Sequence, residues 1–214
     1  MASFFQWLWA GLFPPQCIIS GKRGSFLDEQ YEDFPPPPPN HAKLKYLDKI
    51  IAITAYDDPV IKKIIQSFKF KGLKDVAPIM AKAMNHSQIH TFTNSLIPIP
   101  LHWTRKIWRG FNQADVLASE MQKINKNLKI NTGLRRIKNT RQQARLDKKS
   151  RLKNLKQAFV WRGKMAPPEA VCLVDDVVAT GATLEEAARV LKKAGCKKVF
   201  ALVFARGGLL KKSL

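Results

Sequence analysis

Acidic residues are scarce in this chain. Its 214 residues include 16 aspartates and glutamates against 37 lysines and arginines, which gives a net charge of +21 at neutral pH. A field of that strength favours polyanionic partners: nucleic acid, an anionic membrane surface or phosphorylated metabolites. The hydrophobic content of 45% excludes a mere basic tail and indicates a folded globule.

Cysteine is also sparse, and several familiar motifs are missing. The three cysteines, Cys17, Cys172 and Cys196, lie far apart and are odd in number. This pattern fits a reducing compartment better than a disulfide framework, and a cytoplasmic location is expected. The chain lacks the P-loop pattern GxxxxGK[ST] and the dinucleotide pattern GxGxxG. No Ser/His/Asp or Cys/His arrangement is identifiable, so the sequence assigns no catalytic residue.

The longest apolar stretch lies in the head, MASFFQWLWAGLFPPQC (1–17), and is too short to span a bilayer as a helix. We predict no transmembrane segment and a helix that docks on the body; a membrane or partner contact is the alternative. Five consecutive prolines (35–39) then favour an extended linker. Residues 1–40 are therefore predicted to form an N-terminal appendage and 41–214 the main domain.

In the main domain, apolar runs alternate with amphipathic helical segments. Strands are predicted at 49–56, 94–101, 157–161, 170–174 and 197–205, with 128–137 extended. Helices are predicted from Asp58 and Pro59 onward, after Gly72 through Met84, and over 111–124 and 183–195. This alternation predicts an α/β fold, with a parallel sheet flanked by helices.

A carboxylate pair and a Gly/Thr turn form the strongest candidate site. Asp175 and Asp176 follow four apolar residues, so we expect them exposed where the strand ends, at the edge where open α/β sheets bind ligands. The turn that opens the next helix consists of Ala179, Thr180, Gly181, Ala182 and Thr183. Its amides, hydroxyls and helix dipole can form an anion cup, so the whole suits a sugar phosphate. The alternative is an ordinary helix cap beside solvated aspartates.

Two basic stretches suit single-stranded nucleic acid. WTRKIWRGFNQ (103–113) interleaves cations with aromatic rings, which favours base stacking; alternatively, the rings belong to the core and the cations serve a diphosphate. Segment 135–156 has ten lysines and arginines against one acid, Asp147. Such density indicates neutralisation by a polyanion, although a solvated helical face is the usual interpretation of a charge run. The candidate nucleic-acid contacts are Trp108, Arg141, Arg145, Lys148 and Lys149.

The stretch VCLVDDVVATGAT (171–183) resembles the phosphoribosyl-pyrophosphate motif of type I phosphoribosyltransferases. Five further stretches resemble, in order, the competence protein F (ComF) family: LFPPQC, FKFKG, PIPLHWTRKIWRGFNQADVLA, RRIKNTRQQARLDKKSRLKNLKQAF and ALVFARG. The resemblance covers nearly the whole chain. It implies a phosphoribosyltransferase fold and a part in the import of single-stranded DNA during natural transformation.

The resemblance also implies roles for individual residues. Asp175 and Asp176 would hold the ribose hydroxyls, and turn 179–183 the 5′-phosphate. The pyrophosphate loop would include Leu101, His102, Arg105 and Arg109. Mg²⁺ would bridge diphosphate and ribose oxygens with few protein ligands. The expected partners are phosphoribosyl pyrophosphate, single-stranded DNA and other DNA-uptake proteins.

Two other functions fit the same ligand site. One is a working phosphoribosyltransferase that acts on a nucleobase or another amine acceptor. The other is a nucleotide-sensing interaction protein, in which the phosphate site is only a switch. The sequence reveals no acceptor pocket that would distinguish them.

The head departs from the family pattern, which usually places a small zinc finger there. The stretch CIIS pairs Cys17 with Ser20 instead of a second cysteine, and no other Cys-x-x-Cys pair exists. Four-coordinate zinc needs four suitable ligands, so we predict a degenerate finger and no metal site.

We therefore predict that the purified protein contains no stoichiometric zinc and that a chelator does not lower its melting temperature. Elemental analysis and thermal unfolding with and without chelator check this. One zinc per chain would contradict it.

Overall fold

A parallel sheet forms the centre of the computed structural model, which describes residues 17, 19–22, 34–39, 44–70, 74–138 and 157–207. The strands are β1 (Lys49–Ala55), β2 (Ser95–Pro98), β3 (Lys129–Ile130), β4 (Leu134–Arg136), β5 (Phe159–Trp161), β6 (Ala170–Val178) and β7 (Lys198–Arg206). Five of them pair in the order β1-β7-β6-β2-β3, all parallel. The remaining two, β4 and β5, form a separate antiparallel pair. The longest strands, β6 and β7, are therefore central.

Helices cover both faces of this sheet. They are α1 (Pro59–Phe70), α2 (Ala77–Asn85), α3 (Trp103–Arg109), α4 (Gln113–Ile124) and α5 (Ala182–Lys193), with 3₁₀ turns at Lys74–Val76 and Ile89–Thr91. One core cluster packs α1, α2 and α4 against the sheet, around Phe68, Leu117 and Phe204. The other packs α5 and the β4–β5 pair against the opposite face. The predicted α/β fold, a parallel sheet flanked by helices, is confirmed.

One predicted extended segment and one stretch without a predicted element differ from the structure. The stretch 128–137 divides into β3, which joins the main sheet, and β4, which leaves it to pair with β5. The stretch 103–109 was given no helix, yet it forms α3. His102 caps α3 by accepting a hydrogen bond from the Thr104 amide at 3.4 Å, and Gly110 ends it with φ = +77°. Its helical periodicity was hidden because none of its residues is buried.

The proline run is fastened to the edge of the sheet. Its described part is residues 34–39, and Phe34 packs edge-on against Phe204, with ring centroids 5.1 Å apart. The Pro35 carbonyl accepts hydrogen bonds from the Thr54 hydroxyl at 2.8 Å and the Ala55 amide at 3.3 Å. Arg206 donates to the Pro38 carbonyl at 3.2 Å. The boundary at residue 40 stays a prediction, but part of the linker lies against the domain.

Two adjacent glutamates of α5 anchor neighbouring loops. Glu185 accepts hydrogen bonds from the amides of Lys45 (2.6 Å) and Tyr46 (2.9 Å). The buried Glu186 accepts one from the Gln157 amide at 2.7 Å and pairs with Arg189 through two contacts of 2.7 Å. Gln157, whose φ is +60°, is where the described chain resumes after the basic segment. The first two turns of α5 therefore hold residues 45–46, which precede β1, and Gln157, which precedes β5.

Part of the sequence predictions lies outside the described residues. These comprise the head 1–16, Arg141, Arg145, Lys148 and Lys149. Among the helices that the structure does describe, none is long and apolar enough to cross a membrane.

Candidate functional site

Strand β6 carries both aspartates, but it does not end at them. The prediction of a strand end at residue 174, with an exposed carboxylate pair beyond it, was wrong. Backbone pairing with β7 continues from Asp175↔Val203 to Val178↔Arg206. The strand can continue through polar residues because its pairing is made by main-chain hydrogen bonds and does not depend on the side chains. The pair therefore lies inside the strand, close to its carboxyl end. Asp175 is half-buried, and Asp176 is only 5% exposed.

Lys69 is the counter-ion of Asp176. Its Nζ lies 2.9 Å from Oδ2 of Asp176, and the two side chains are 22% and 8% exposed. Lys69 lies in the last turn of α1, where the negative end of the helix dipole favours a cation. Sequence analysis assigned Lys69 no role, although it belongs to the quoted stretch FKFKG. Its signal was a lysine beside the buried Phe68 at a helix end.

Asp175 ionises reluctantly. Burial, reinforced by the neighbouring carboxylate of Asp176, raises the pKa of Asp175 to about 7, while the charge of Lys69 opposes the rise. The carboxylate also accepts a hydrogen bond from the Asp176 amide at 2.9 Å. A hydroxyl donor or a cation brought to this place would stabilise the charged form. A carboxylate whose pKa is shifted this far by burial and a neighbouring charge is typical of a ligand site.

The turn after β6 has the conformation that an anion cup requires. Ala179 is exposed, Thr180 is half-buried, and Gly181 precedes the first turn of α5 with φ = +77°. The amides of that first turn, including those of Ala182 and Thr183, have no acceptor within the helix. Thr180 Oγ1 lies 3.5 Å from the Ala182 amide, a long contact that leaves the hydroxyl available.

Gly181 is required for its backbone conformation. A Cβ there would meet Leu44 and Ile50 at ordinary contact distances of 3.5 and 3.9 Å. The cost of a larger residue at this position is therefore the positive φ, which L-residues rarely adopt.

Side-chain hydrogen bonds fix the loop between β2 and α3 and the helix that follows it. The Asn112 side chain donates to the Ile99 carbonyl at 3.1 Å. Arg109, at the end of α3, donates to Gln113 Oε1 at 3.0 Å. Leu101 is half-buried, and His102 is buried with Nδ1 2.9 Å from the Thr104 hydroxyl. The predicted pyrophosphate loop is therefore a fixed segment that ends in a helix cap.

Arg136 connects this loop with the aspartates. Burial, followed by the charge of Arg105, lowers the pKa of Arg136 to about 10, and Asp175 acts in the opposite direction. Burial, then Arg136 and Arg105, lowers the pKa of His102 and favours the neutral ring. Burial, followed by the charge of Arg109, lowers the pKa of Arg105. These cations converge from α3 and β4 at a half-buried place that would favour an anion.

Sequence reasoning missed the place of Arg136 in this site. It counted the residue only as a member of the basic run 135–156. Its contact with the Phe159 ring, 5.5 Å from guanidinium carbon to ring centroid, fixes it over the β4–β5 pair. No sequence signal distinguishes it from the other cations of the run, because β4 leaves the main sheet only in the folded protein.

Apolar side chains on α3 face solvent. Trp103, Ile107 and Trp108 are 64%, 74% and 73% exposed. The alternative in which the rings of 103–113 belong to the core holds for Phe111, which is buried against Phe68 with centroids 5.6 Å apart. It is wrong for both tryptophans.

A groove of about 500 Å³ lies elsewhere, between α2 and α4. Asp75, Asp115 and Glu120 line it together with Lys123. Its acidic wall does not suit a phosphate, so the groove is a poor alternative to the sheet edge.

Comparison with known proteins agrees with this geometry. Residues 109–212 match the family described as the phosphoribosyl transferase domain. Competence protein F of Haemophilus influenzae is 33% identical over 162 residues, which is 71% of this chain and 70% of that protein. The chain belongs to the competence protein F family.

Other relatives in the family carry related names. The DNA utilization protein YhgH of Salmonella typhi is 26% identical over 86% of this chain and 80% of its own length. Competence protein ComFC of Bacillus subtilis is 29% identical over 67% of this chain and 58% of its own length. The family and the type I phosphoribosyltransferase fold expected from the sequence are confirmed. The matched range 109–212 contains Arg136, both aspartates and the turn 179–183, while Lys69 and His102 precede it.

The raised pKa of Asp175 predicts how stability changes with pH. The pKa of an aspartate in an unfolded chain is about 4, whereas burial raises the pKa of Asp175 to about 7 in the folded protein. Charging it thus destabilises the fold increasingly as pH rises between these values. Asp175→Asn cannot ionise, so its melting temperature should exceed that of the wild type at pH 8, by about 2–4 °C for each kcal/mol relieved. The difference should narrow towards pH 5.

The matched control is Asp57→Asn, because the Asp57 side chain is 68% exposed. It should change the melting temperature equally at both pH values. An Asp175→Asn variant that behaves in the same way would contradict the prediction.

Proposed function

We propose that the chain binds phosphoribosyl pyrophosphate at the carboxyl edge of its sheet and also binds single-stranded DNA. The observation that carries the proposal is the arrangement at the end of β6. Two carboxylates, one of them with a pKa near 7, precede a turn that opens a helix with Gly181 at φ = +77°. Carboxylates accept hydrogen bonds from ribose hydroxyls, and helix N-terminal amides donate hydrogen bonds to phosphate oxygens. The arginines of α3 and β4 would then meet the diphosphate.

Mg²⁺ is proposed to enter with the ligand. Among the described residues, no group of three or more His, Cys, Asp or Glu side chains is placed to hold a metal. Lys69 already neutralises part of the carboxylate pair. A hard cation suits this edge when the oxygens of a bound diphosphate supply most of its ligands.

For DNA, the supporting observations are the charge and the exposed rings of α3. The net charge of +21 favours a nucleic-acid backbone. Trp103 and Trp108, 64% and 73% exposed, flank Lys106 on a helix with no buried residue. Exposed rings among cations are what single strands use for stacking and charge neutralisation.

The biological role follows from the relatives' names. Relatives called competence and DNA utilization proteins support an accessory role in DNA uptake for this chain, in the cytoplasm and together with other uptake proteins. In this role the sugar-phosphate ligand and the incoming strand would meet at the carboxyl edge of the sheet.

Isothermal titration with phosphoribosyl pyrophosphate and Mg²⁺ tests the ligand. The wild type should bind, and Asp175→Asn combined with Asp176→Asn should abolish binding. Since losing the Asp176 charge leaves Lys69 unpaired, the single variant Asp175→Asn serves as the better-folded arm and should bind more weakly than wild type. Asp57→Asn is the exposed control. A double variant that is folded and binds like the wild type would refute the sugar-binding site.

DNA binding is tested by its salt dependence. If roughly six phosphates are neutralised, log K should fall with log salt at a slope of about −4, since single strands contribute about 0.7 per phosphate. The variant with glutamine at Arg141, Arg145, Lys148 and Lys149 should flatten the slope by about 3. Removing four exposed charges elsewhere, with glutamine at Lys82, Lys123, Lys126 and Lys193, should leave the slope nearly unchanged. A slope near zero, or equal effects of the two variants, would refute the assignment.

Stacking is separated from charge by a pair of substitutions on α3. Trp108→Ala should weaken binding by about 1–3 kcal/mol without changing the slope. Ile107→Ala, at a position that is equally exposed, should have little effect, because an aliphatic side chain offers a base no π-face.

A further inference from the structure

The Lys69–Asp176 ion pair joins two elements that are distant in sequence. Lys69 comes from the end of α1 and Asp176 from β6, and their charged atoms are 2.9 Å apart. Asp176 is almost fully covered, while the lysine side chain is 22% exposed. The ammonium therefore contacts a covered carboxylate, while part of the lysine side chain remains accessible to solvent.

Stability alone is a poor reason for such a pair. Removing two charges from water costs free energy that their attraction often fails to recover, and an apolar pair of similar volume is frequently as stable. The surroundings here are apolar: Phe68, next to Lys69, is fully buried, and Val174 on β6 is as well. Charges retained in such a place have another use.

The charged groups around Asp176 also have unused hydrogen-bonding capacity that a ligand can occupy. Asp175 and Asp176 bring two carboxylates, and Lys69 supplies one ammonium, which contacts Asp176 and acts on Asp175 through its charge. An ammonium has three donor hydrogens, and an ionised carboxylate has about four acceptor positions. One contact between them leaves further donors on Lys69 and further acceptors on Asp176. A diol can donate to the carboxylate while its oxygens accept from the ammonium.

We propose that Lys69 is a ligand-binding residue of this site, which pairs with Asp176 when the site is empty and hydrogen-bonds the sugar oxygens of a ribose phosphate when it is filled. The inference rests on the proposed sugar-phosphate function and adds a residue to it from outside the matched range 109–212. Lys69 then recognises the sugar, while the turn 179–183 recognises the phosphate.

Two probes separate these roles: ribose 5-phosphate and inorganic phosphate, each titrated without metal. In Lys69→Met the dissociation constant of ribose 5-phosphate should rise about 10- to 100-fold, the usual effect of losing a charged hydrogen bond. That of inorganic phosphate should stay within about twofold, because the turn is intact. The control is Lys62→Met on the same helix, where the lysine meets an exposed Asp57 at 4.0 Å. It should leave both constants unchanged.

A measurement on the wild-type protein covers the case in which Lys69→Met does not fold. Saturating ribose 5-phosphate should slow acetylation of the Lys69 amine severalfold and leave that of Lys62 unchanged, as read by mass spectrometry. No protection of Lys69 overturns the proposal.

The titration distinguishes the possible failures. If the wild type binds neither phosphoribosyl pyrophosphate nor ribose 5-phosphate, the proposed function and this inference both fall. If it binds phosphoribosyl pyrophosphate but not ribose 5-phosphate, this inference alone falls. If the wild type binds and a folded Lys69→Met binds equally well or more tightly, only the inference falls, since Lys69 is then a structural counter-ion or a competitor. An equal loss for both probes would also overturn it, because the damage would then extend to the turn.

Discussion

Two adjacent carboxylates in a central strand are the constraint around which this site is organised. Pairing with β7 holds Asp175 and Asp176 in the sheet up to Val178, so their charges cannot simply turn out into water. Two adjacent carboxylates that are partly removed from solvent raise the free-energy cost of each other's ionisation. The fold offsets this with Lys69 on one element and Arg136 on another. The ionisation of the two aspartates of β6 thus depends on where the fold places α1 and the β4–β5 pair.

The few acids of the chain are used for specific contacts. Asp48 accepts from Lys192, Lys198 and the Val199 amide, which ties the start of β1 to the end of α5 and the start of β7. Glu185 and Glu186 anchor the chain at 45–46 and at 157. With these acids engaged inside the domain, most of the excess positive charge is left for external anions. The charge imbalance therefore indicates a partner more than it indicates instability.

Helix α5 joins the turn 179–183 to the chain that leads into β5. Its N-terminal amides follow Gly181, and the buried Glu186 in its first two turns accepts a hydrogen bond from the Gln157 amide. The same helix therefore holds both the candidate turn and the start of the segment that pairs with β4.

Local sequence determined most of the elements and the position of the Gly/Thr turn 179–183. Periodicity marked the apolar faces of α1, α4 and α5, and the pattern Asp-Asp-x-x-x-Thr-Gly-x-Thr marked the site, because those signals depend only on neighbours along the chain. The tertiary structure alone decided that β6 continues past Asp175, that Lys69 reaches Asp176, and that Arg136 leaves the basic run to face the site. It also placed Trp108 in solvent and Phe111 in the core. The reason is that strand length, ion pairing and burial are set by residues distant in sequence, brought together only when the sheet and its helices assemble.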